Sequence, residues 1–386
     1  MSITAGPNLV TSGLVFAYDM GNPERSWLGA PTTNLTPNLG ISSVLGAPTV
    51  TYVGLEDGWK KYSLNGTWSG GTYPYSVAID SVSFTGGVTY SSGVFIRTSV
   101  PAKFATLFTG MNYVNEPMNN IGTSFSTPQA DGSIFVGRTG FQYTSTTSQP
   151  GYLLSQPVVG QTFNSATDFI FIKNGQVQTG PITTPFTSGT RSNTQALLDL
   201  TGSRVITIGA LTYAANNTFS FNGTTDNLTV PTISLGNGNL PWTASAWVRT
   251  TTNASTLGTG AIMSNQSGGP VFSVMCVNSG KIAYWTYQNS AWSQKLGVGP
   301  NVNDNAWHML TWVNNSNSTM TMYVDGVLDS NVANSTSGNN NPIDMIGSSW
   351  AARFAGSIGS LQVYNVALTA DQVAQNFAAY RGRYGI

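Results

Sequence analysis

The chain has 386 residues, more than one hydrophobic core usually organises, so two domains are expected. Its 15 basic and 15 acidic residues leave no net charge and form no basic stripe, so phosphate-driven nucleic-acid binding has nothing to act through. With 40% hydrophobic residues, 11% aromatic and 8% charged, the composition excludes disorder, and so thin a charge coat protects a lone copy poorly against association. Permanent partners, including further copies of the chain, are therefore expected. The single cysteine, Cys276, rules out an internal disulfide framework, and the apolar run Val271 to Val277 around it predicts a buried thiol.

In chain order, the start from Met1 to Pro7 lacks the basic residues and apolar core of a secretory signal. No apolar run reaches membrane-spanning length, so the expectation is a protein made in a cytoplasm without a signal peptide and without membrane insertion. Gly13 to Asp19 reads as a short buried strand with no local partner, and the stretch Met20 to Thr33 is turn-rich. From Asn34 onward the segments GWKKYSLNGTWSGGTYPYSVAI, VTYSSGVFIRTS, GSIFVGRTGFQYTS and DFIFIKNGQVQTG alternate apolar and polar residues between Gly, Pro and Asn boundaries. They predict an antiparallel β-sandwich. Pro181 to Asn193, rich in Pro, Ser and Thr and without periodicity, reads as a linker.

Further strands are expected at Phe219 to Gly223, Ala244 to Thr250, Phe272 to Asn278, Lys281 to Gln288, Trp307 to Asn314, Thr319 to Leu328 and Phe354 to Asn365. In Thr319 to Val324, Thr alternates with Met and then Val, the pattern of a strand with one wet and one dry face, and Asp325-Gly326 then reads as a hairpin turn. One helix is expected, from Thr369 to about Arg381, opened by the capping-box pair Thr369 and Gln372.

Five segments resemble the laminin-G-like, concanavalin A-like lectin/glucanase superfamily in the form common in bacteriophage structural proteins. They are Phe219 to Leu228, Trp242 to Val248, Asn305 to Val313, Met322 to Val327 and Phe354 to Asn365. The segment Pro7 to Asp19 also looks like the leader of phage proteins in which such a strand runs into an Asp-Leu-Ser-Gly-type turn, and Leu198-Asp-Leu-Thr-Gly resembles that turn. The resemblance implies an all-β fold of two antiparallel jelly-roll sandwiches with one short C-terminal helix. Residues 1–33 with 187–386 would form the laminin-G-like sandwich, and 34–186 an inserted sandwich similar to carbohydrate-binding modules. Insertion is tolerated at a surface loop whose ends lie close together.

Catalytic chemistry is not supported by the residues. Glycosidases need two carboxylates about 5 to 10 Å apart, and the related glucanases carry them in a Glu-x-Asp-x-Glu strand. The only glutamates here are Glu24, Glu56 and Glu116, none in the C-terminal sandwich. Glu56 and Asp57 are adjacent, would point to opposite faces of a strand and read as a solvated turn. His308, the only histidine, sits inside a strand and reads as structural, and no Gly-rich loop opens a helix for nucleotide binding.

Sugar binding would use exposed rings to stack on pyranose faces. The candidates are Trp59, Trp68, Tyr73 and Tyr75 in the insert and Trp292 and Trp350 in loop-like stretches of the sandwich, against Trp247, Trp307 and Trp312, which read as core. No cofactor is required; the resemblance suggests calcium, with Asp19 and Asp226 as candidate ligands and a turn role as the alternative. The expected role is a non-enzymatic virion protein on a phage capsid or tail, with other virion proteins as partners and a host-surface glycan as ligand. The alternatives are a purely architectural capsid decoration protein and a tail-associated polysaccharide depolymerase.

Overall fold

Period-two alternation fixes which side of each strand is apolar, and the chain uses it to build sandwiches. The computed structural model describes all residues except 1–7, 23–24, 37, 45–47, 71–74, 114–117, 181–185, 214–218, 238–239, 254–259, 266–271, 289–290, 316–318, 334–339 and 350–352. The architecture is nearly all-β with antiparallel pairing throughout, and the described residues form one α-helix. Two units divide the chain, residues 1–30 with 192–386 and residues 31–191. Their joins lie a few residues from 33/34 and 186/187 because Thr32–Thr33 and Thr190–Arg191 pair as a short ladder within the inserted unit. The stretch read as a linker thus ends in a strand.

The first unit is a sandwich of an eight-stranded and a seven-stranded sheet. In the first sheet the order is Thr212–Tyr213, Phe219–Asn222, Ala355–Tyr364, Trp242–Arg249, Trp307–Asn315, Thr319–Val324 and Val327–Ala333, with Leu14–Asp19 also on Ala355–Tyr364. The second runs Thr207–Ile208, Leu228–Asn237, Asn340–Ile346, Ala261–Ser264, Phe272–Asn278, Lys281–Gln288 and Ala291–Leu296. Trp242 and Trp312 are fully buried between them, and the Trp312 Nε1–H donates across the gap to the Ala283 carbonyl at 3.0 Å. Cys276 is buried as expected, and desolvation raises its thiol pKa far above the ordinary value.

The N-terminal strand Leu14–Asp19 pairs antiparallel with Ala355–Tyr364, Ala17 opposite Gln362 and Tyr18 opposite Leu361. Its Phe16 and Tyr18 lie in the same core as Trp242 and Trp312. On its other side the Leu198-Asp-Leu-Thr-Gly turn closes the edge. The Asp199 carboxylate accepts the N–H groups of Ala17 at 3.1 Å, Thr201 at 3.0 Å and Arg204 at 3.1 Å, while Leu200 N–H donates to the Ala17 carbonyl at 2.7 Å. An edge that would otherwise invite pairing is thereby covered.

The expectation of a wet outer face on Thr319–Val324 is corrected by the helix Ala370–Tyr380. Met320, Met322 and Val324 enter the inter-sheet core, but the alternate residue Tyr323 joins a second apolar cluster with Trp247, Met309, Leu368 and Val373. Partly buried Phe377 and Tyr384 pack against that cluster, covering the outer face of the sheet. Trp247 stacks on Phe377 at 5.5 Å and on Tyr384 at 4.3 Å, and Trp307 is only part-buried beside Tyr384. The capping box is present, with Thr369 Oγ1 accepting from Gln372 N–H and Gln372 Oε1 from Thr369 N–H. Three buried hydrogen bonds then close the chain ends: Val10 N–H to Asn376 Oδ1 at 2.9 Å, Asn376 Nδ2–H to the Tyr364 hydroxyl at 3.0 Å, and that hydroxyl to the Val10 carbonyl at 3.1 Å.

The inserted unit has its own core. An eight-stranded sheet runs Met118–Asn120, Ile134–Tyr143, Thr89–Thr98, Phe169–Thr179, Trp59–Thr67 and Thr162–Phe163, with Thr123–Pro128 on Ile134–Tyr143 and Thr49–Glu56 on Trp59–Thr67. It faces a four-stranded sheet of Ile41–Val44, Tyr75–Phe84, Thr147–Leu154 and Met111–Tyr113 across a core that includes Trp68, Phe84, Phe108 and Phe141.

His308 bridges two carboxylates, its Nδ1 2.7 Å from Asp325 and its Nε2 3.1 Å from Asp304. The bond to Asp325 is the largest influence raising its pKa, against the opposing effect of burial. The folded state therefore holds the proton more tightly than the unfolded chain. The resulting stability is fully present below about pH 6.5, the free-histidine value, and is lost as pH rises through the folded value. Urea midpoints should thus fall faster with rising pH in the parent protein than in His308→Gln. NMR titration of this sole imidazole should place its pKa above about 6.5; a value at or below that would contradict the clamp.

Candidate functional site

The hairpin Thr49–Glu56 and Trp59–Thr67 is closed by Asp57 and Gly58, both in the left-handed region at φ 52° and 77°, as a two-residue hairpin turn requires. Counting back from that turn pairs Glu56 with Trp59 and Leu55 with Lys60. A bulge between Tyr52 and Gly54 then brings Tyr52 opposite Tyr62. Bulges re-aim side chains. Here the two rings meet at 5.3 Å and tilt by 56°, with Tyr62 buried and Tyr52 53% exposed.

Opposite this hairpin the other sheet supplies Ile41, paired with Ile79, and next along the same strand Asp80. Gly40 N–H donates to Asp80 Oδ2 at 2.7 Å, and Asp80 N–H to the Gly40 carbonyl at 3.0 Å. A Cβ at Gly40 would lie 2.8 Å from both Asp80 Oδ2 and the Tyr62 hydroxyl, so any side chain there would have to displace the end of one of them. Lys60 Nζ donates to the backbone carbonyls of Asn38 and Leu39. The result is an open cleft of about 340 Å³ within the inserted unit. Its size is at the small end for ligand sites.

Burial lowers the Lys60 pKa, an effect the nearby Asp80 carboxylate opposes. Desolvation is also the main reason the Tyr62 pKa is raised. The cleft therefore offers one half-exposed ring for stacking, the edge of a second, and a carboxylate whose Oδ2 is already held by the backbone. One cation and one anion sit together in it. Such a set suits an uncharged polyhydroxylated ligand.

The sequence candidates distribute differently. Trp68 is 2% exposed in the core of the inserted unit, so no sugar can reach its ring face, which corrects its assignment to a binding surface. Its place in a Gly/Ser-rich stretch hid a core position. Trp59 lies on the outer sheet face at 6% exposure, with the Arg97 guanidinium 4.8 Å and the Lys173 ammonium 5.8 Å from its ring. Tyr73 and Trp350 lie outside the described residues, as do the side chains of Tyr75 and Trp292.

Asp19 and Asp226 are both nearly buried and act as acceptors within their turns. Asp19 Oδ1 accepts from Gly21 N–H at 2.9 Å and pairs with Arg383, while Asp226 accepts from Asn222 N–H at 3.0 Å and the Thr225 hydroxyl at 3.1 Å. Among the described residues no group of three or more His, Cys, Asp and Glu is placed to hold a metal ion. Sequence reading missed Tyr52, Tyr62, Lys60 and Asp80. The usable signal was the Asp57-Gly58 turn, from which cross-strand partners can be counted.

Residues 222–374 match the family model of the concanavalin A-like lectin/glucanases superfamily, a segment confined to the first unit. No curated protein matches the chain. Among solved structures it is similar to one of botulinum neurotoxin type C, whose cell entry depends on interaction with two ganglioside molecules, at 13% identity and TM-score 0.37, covering 48% of this chain and 49% of that one. The chain thus spans about half the length of that neurotoxin chain. Domain 4 of AbnA, an extracellular arabinanase of Geobacillus stearothermophilus solved with arabinotriose, is 20% identical at TM-score 0.37, over 48% of this chain and 93% of that one. A heptameric SAP-like pentraxin of Limulus polyphemus is 21% identical at TM-score 0.31, over 40% and 78%.

If Trp68 is core, Trp68→Ala should cost about 3–5 kcal/mol of stability, read from urea midpoints of the inserted unit's transition. A loss below about 1 kcal/mol would return Trp68 to the list of surface candidates.

Proposed function

We propose that the protein is a non-enzymatic structural protein of a bacteriophage particle, displayed on capsid or tail, and that it binds a host-surface glycan in the Tyr52–Tyr62–Asp80 cleft. The observation that carries the glycan reading is the half-exposed Tyr52 ring set beside a backbone-anchored carboxylate in a cleft of about 340 Å³. A pyranose stacks its C–H face on such a ring while its hydroxyls donate to the free carboxylate oxygen. The family match over residues 222–374 supports a lectin-like sandwich in the same chain. The leader-like segment Pro7 to Asp19 and the absence of net charge support the particle setting, where neighbouring subunits replace charge as the guard against aggregation. No cofactor enters this reading.

A purely architectural role is the second reading, favoured by an apolar rim. Val298 is 79% and Val327 69% exposed, and Asp329 ties the two sheet edges together by accepting from Val298 and Gly299 N–H at 2.9 Å. In a chain with so few charges, a second copy is the natural cover for these residues.

Polysaccharides from candidate hosts, titrated into the full chain by calorimetry, should give binding that falls about tenfold or more in Tyr52→Ala. Asp80→Ala should weaken it comparably. Binding that survives both changes would remove the cleft from the reading, and no binding to any polysaccharide, with a Val327→Asp-sensitive oligomer in sedimentation, would favour the architectural role.

A further inference from the structure

The outer face of the eight-stranded sheet in the inserted unit carries a pattern that neither the core nor the cleft uses. Val94, Ile96, Ile170, Ile172, Tyr62 and Leu64 turn into the core. Their alternates face outward. Cross-strand register sets Phe135 beside Phe95 and Phe95 beside Lys173 in one row, and Arg97 beside Phe171 and Phe171 beside Lys61 in the next. Phe95 and Phe135 stack at 4.6 Å with 28° between their planes. Glycines make room for the ring tips: a Cβ at Gly93 would sit 2.6 Å from Cζ of Phe135, and one at Gly137 2.5 Å from Cζ of Phe125. Phe95, Phe125 and Phe135 nonetheless remain part-exposed, as do Lys61, Arg97 and Lys173.

Arg97 is the unexplained member. Its guanidinium lies 4.8 Å from the Trp59 ring and 4.7 Å from the Phe171 ring. Its Nε is buried and has no hydrogen-bond partner among the described residues. That donor is shut off from solvent, so a ligand from outside meets the terminal Nη groups of this part-exposed side chain, and the planar fork of an arginine matches a carboxylate in two parallel bonds. The carboxylates nearby stand at the rim: Glu56 bonds Lys61 at 2.7 Å, and the exposed Asp131 lies within electrostatic reach of Arg97. Lys61 also sits 4.0 Å from the Phe169 ring. In a chain with no net charge, Arg97, Lys61 and Lys173 fall on three adjacent strands of one aromatic face.

We propose that this face binds an acidic polysaccharide, with a sugar carboxylate on Arg97 and the part-exposed aromatic rings packed against the apolar C–H groups of the sugars. Charge complementarity selects an anion, and the geometry selects a sugar over single-stranded nucleic acid. Phe95 and Phe135 are stacked on each other, so no slot stays open between them into which successive bases could insert. The chain also lacks the long-range positive field that phosphate binding draws on. The surface shares no residue with the Tyr52 cleft, since Lys60 and Tyr62 point away from Trp59 and Lys61 on the same strand, and it stands whether or not the cleft is occupied.

Calorimetric titration of the full chain with polygalacturonate, neutral dextran and oligothymidylate tests it. Polygalacturonate should bind, weaken with salt, and lose about tenfold or more in affinity in Arg97→Gln, the loss of one charge-assisted contact. Arg97→Lys should recover part of that loss, and Lys173→Gln should show a smaller one. Circular dichroism of each variant separates lost binding from lost fold, and Lys173→Gln carries the test if Arg97→Gln does not fold. Equal affinity for dextran, tighter Arg97-dependent binding of oligothymidylate, or polygalacturonate binding that is absent or indifferent to Arg97 and Lys173 would each overturn the proposal. None of these results would decide whether the Tyr52 cleft takes a neutral glycan.

Discussion

The ladder between Leu14–Asp19 and Ala355–Tyr364 joins segments from opposite ends of the chain, and the first unit cannot complete its sheet without it. It places Phe16 and Tyr18 in the main core and brings Val10 to the helix, where Asn376 and Tyr364 complete a closed set of buried hydrogen bonds. Loop-closure entropy for so distant a pairing grows only slowly with length, so the residues in between can include a whole folded unit. What the pairing demands is that the insert return its ends close together. The Thr32–Thr33 and Thr190–Arg191 ladder does this.

That arrangement separates two tasks. The first unit devotes both faces of its longer sheet to packing, one against the second sheet and the other beneath Trp247, Phe377 and Tyr384. The inserted unit keeps an aromatic sheet face partly open. Its strand Trp59–Thr67 serves three surfaces through period-two alternation: Tyr62 and Leu64 pack in the core, Tyr62 and Lys60 also border the cleft, and Trp59 and Lys61 face outward. The open cleft and the partly exposed aromatic face therefore both lie in the unit that is not needed to complete the first sandwich.

Electrostatics in this chain act locally. With 8% charged residues, individual carboxylates act as turn organisers or clamps: Asp199 gathers backbone donors beside the N-terminal strand, Asp329 ties two sheet edges, and Asp325 and Asp304 hold His308. Asp19, at the end of the N-terminal strand, and Asp226, in the turn after Asn222, likewise accept backbone N–H groups within their turns.

The sequence by itself determined the all-β class, the strand positions in the C-terminal sandwich and the capped helix, because alternation, Asp-Gly turns and capping residues act over a few neighbours. It also marked Cys276, Trp247 and Trp312 as interior, since apolar runs on strands are read directly. The partner of Leu14–Asp19 could be suggested only by resemblance, because a six-residue strand carries no local record of what it will pair with. Only the tertiary structure decided that Trp68 is core, that Tyr323 lies under a helix, and that Tyr52, Tyr62 and Asp80 share a cleft. A residue's exposure depends on which distant strand or helix covers its face, and that choice is made by whole-sheet register and packing.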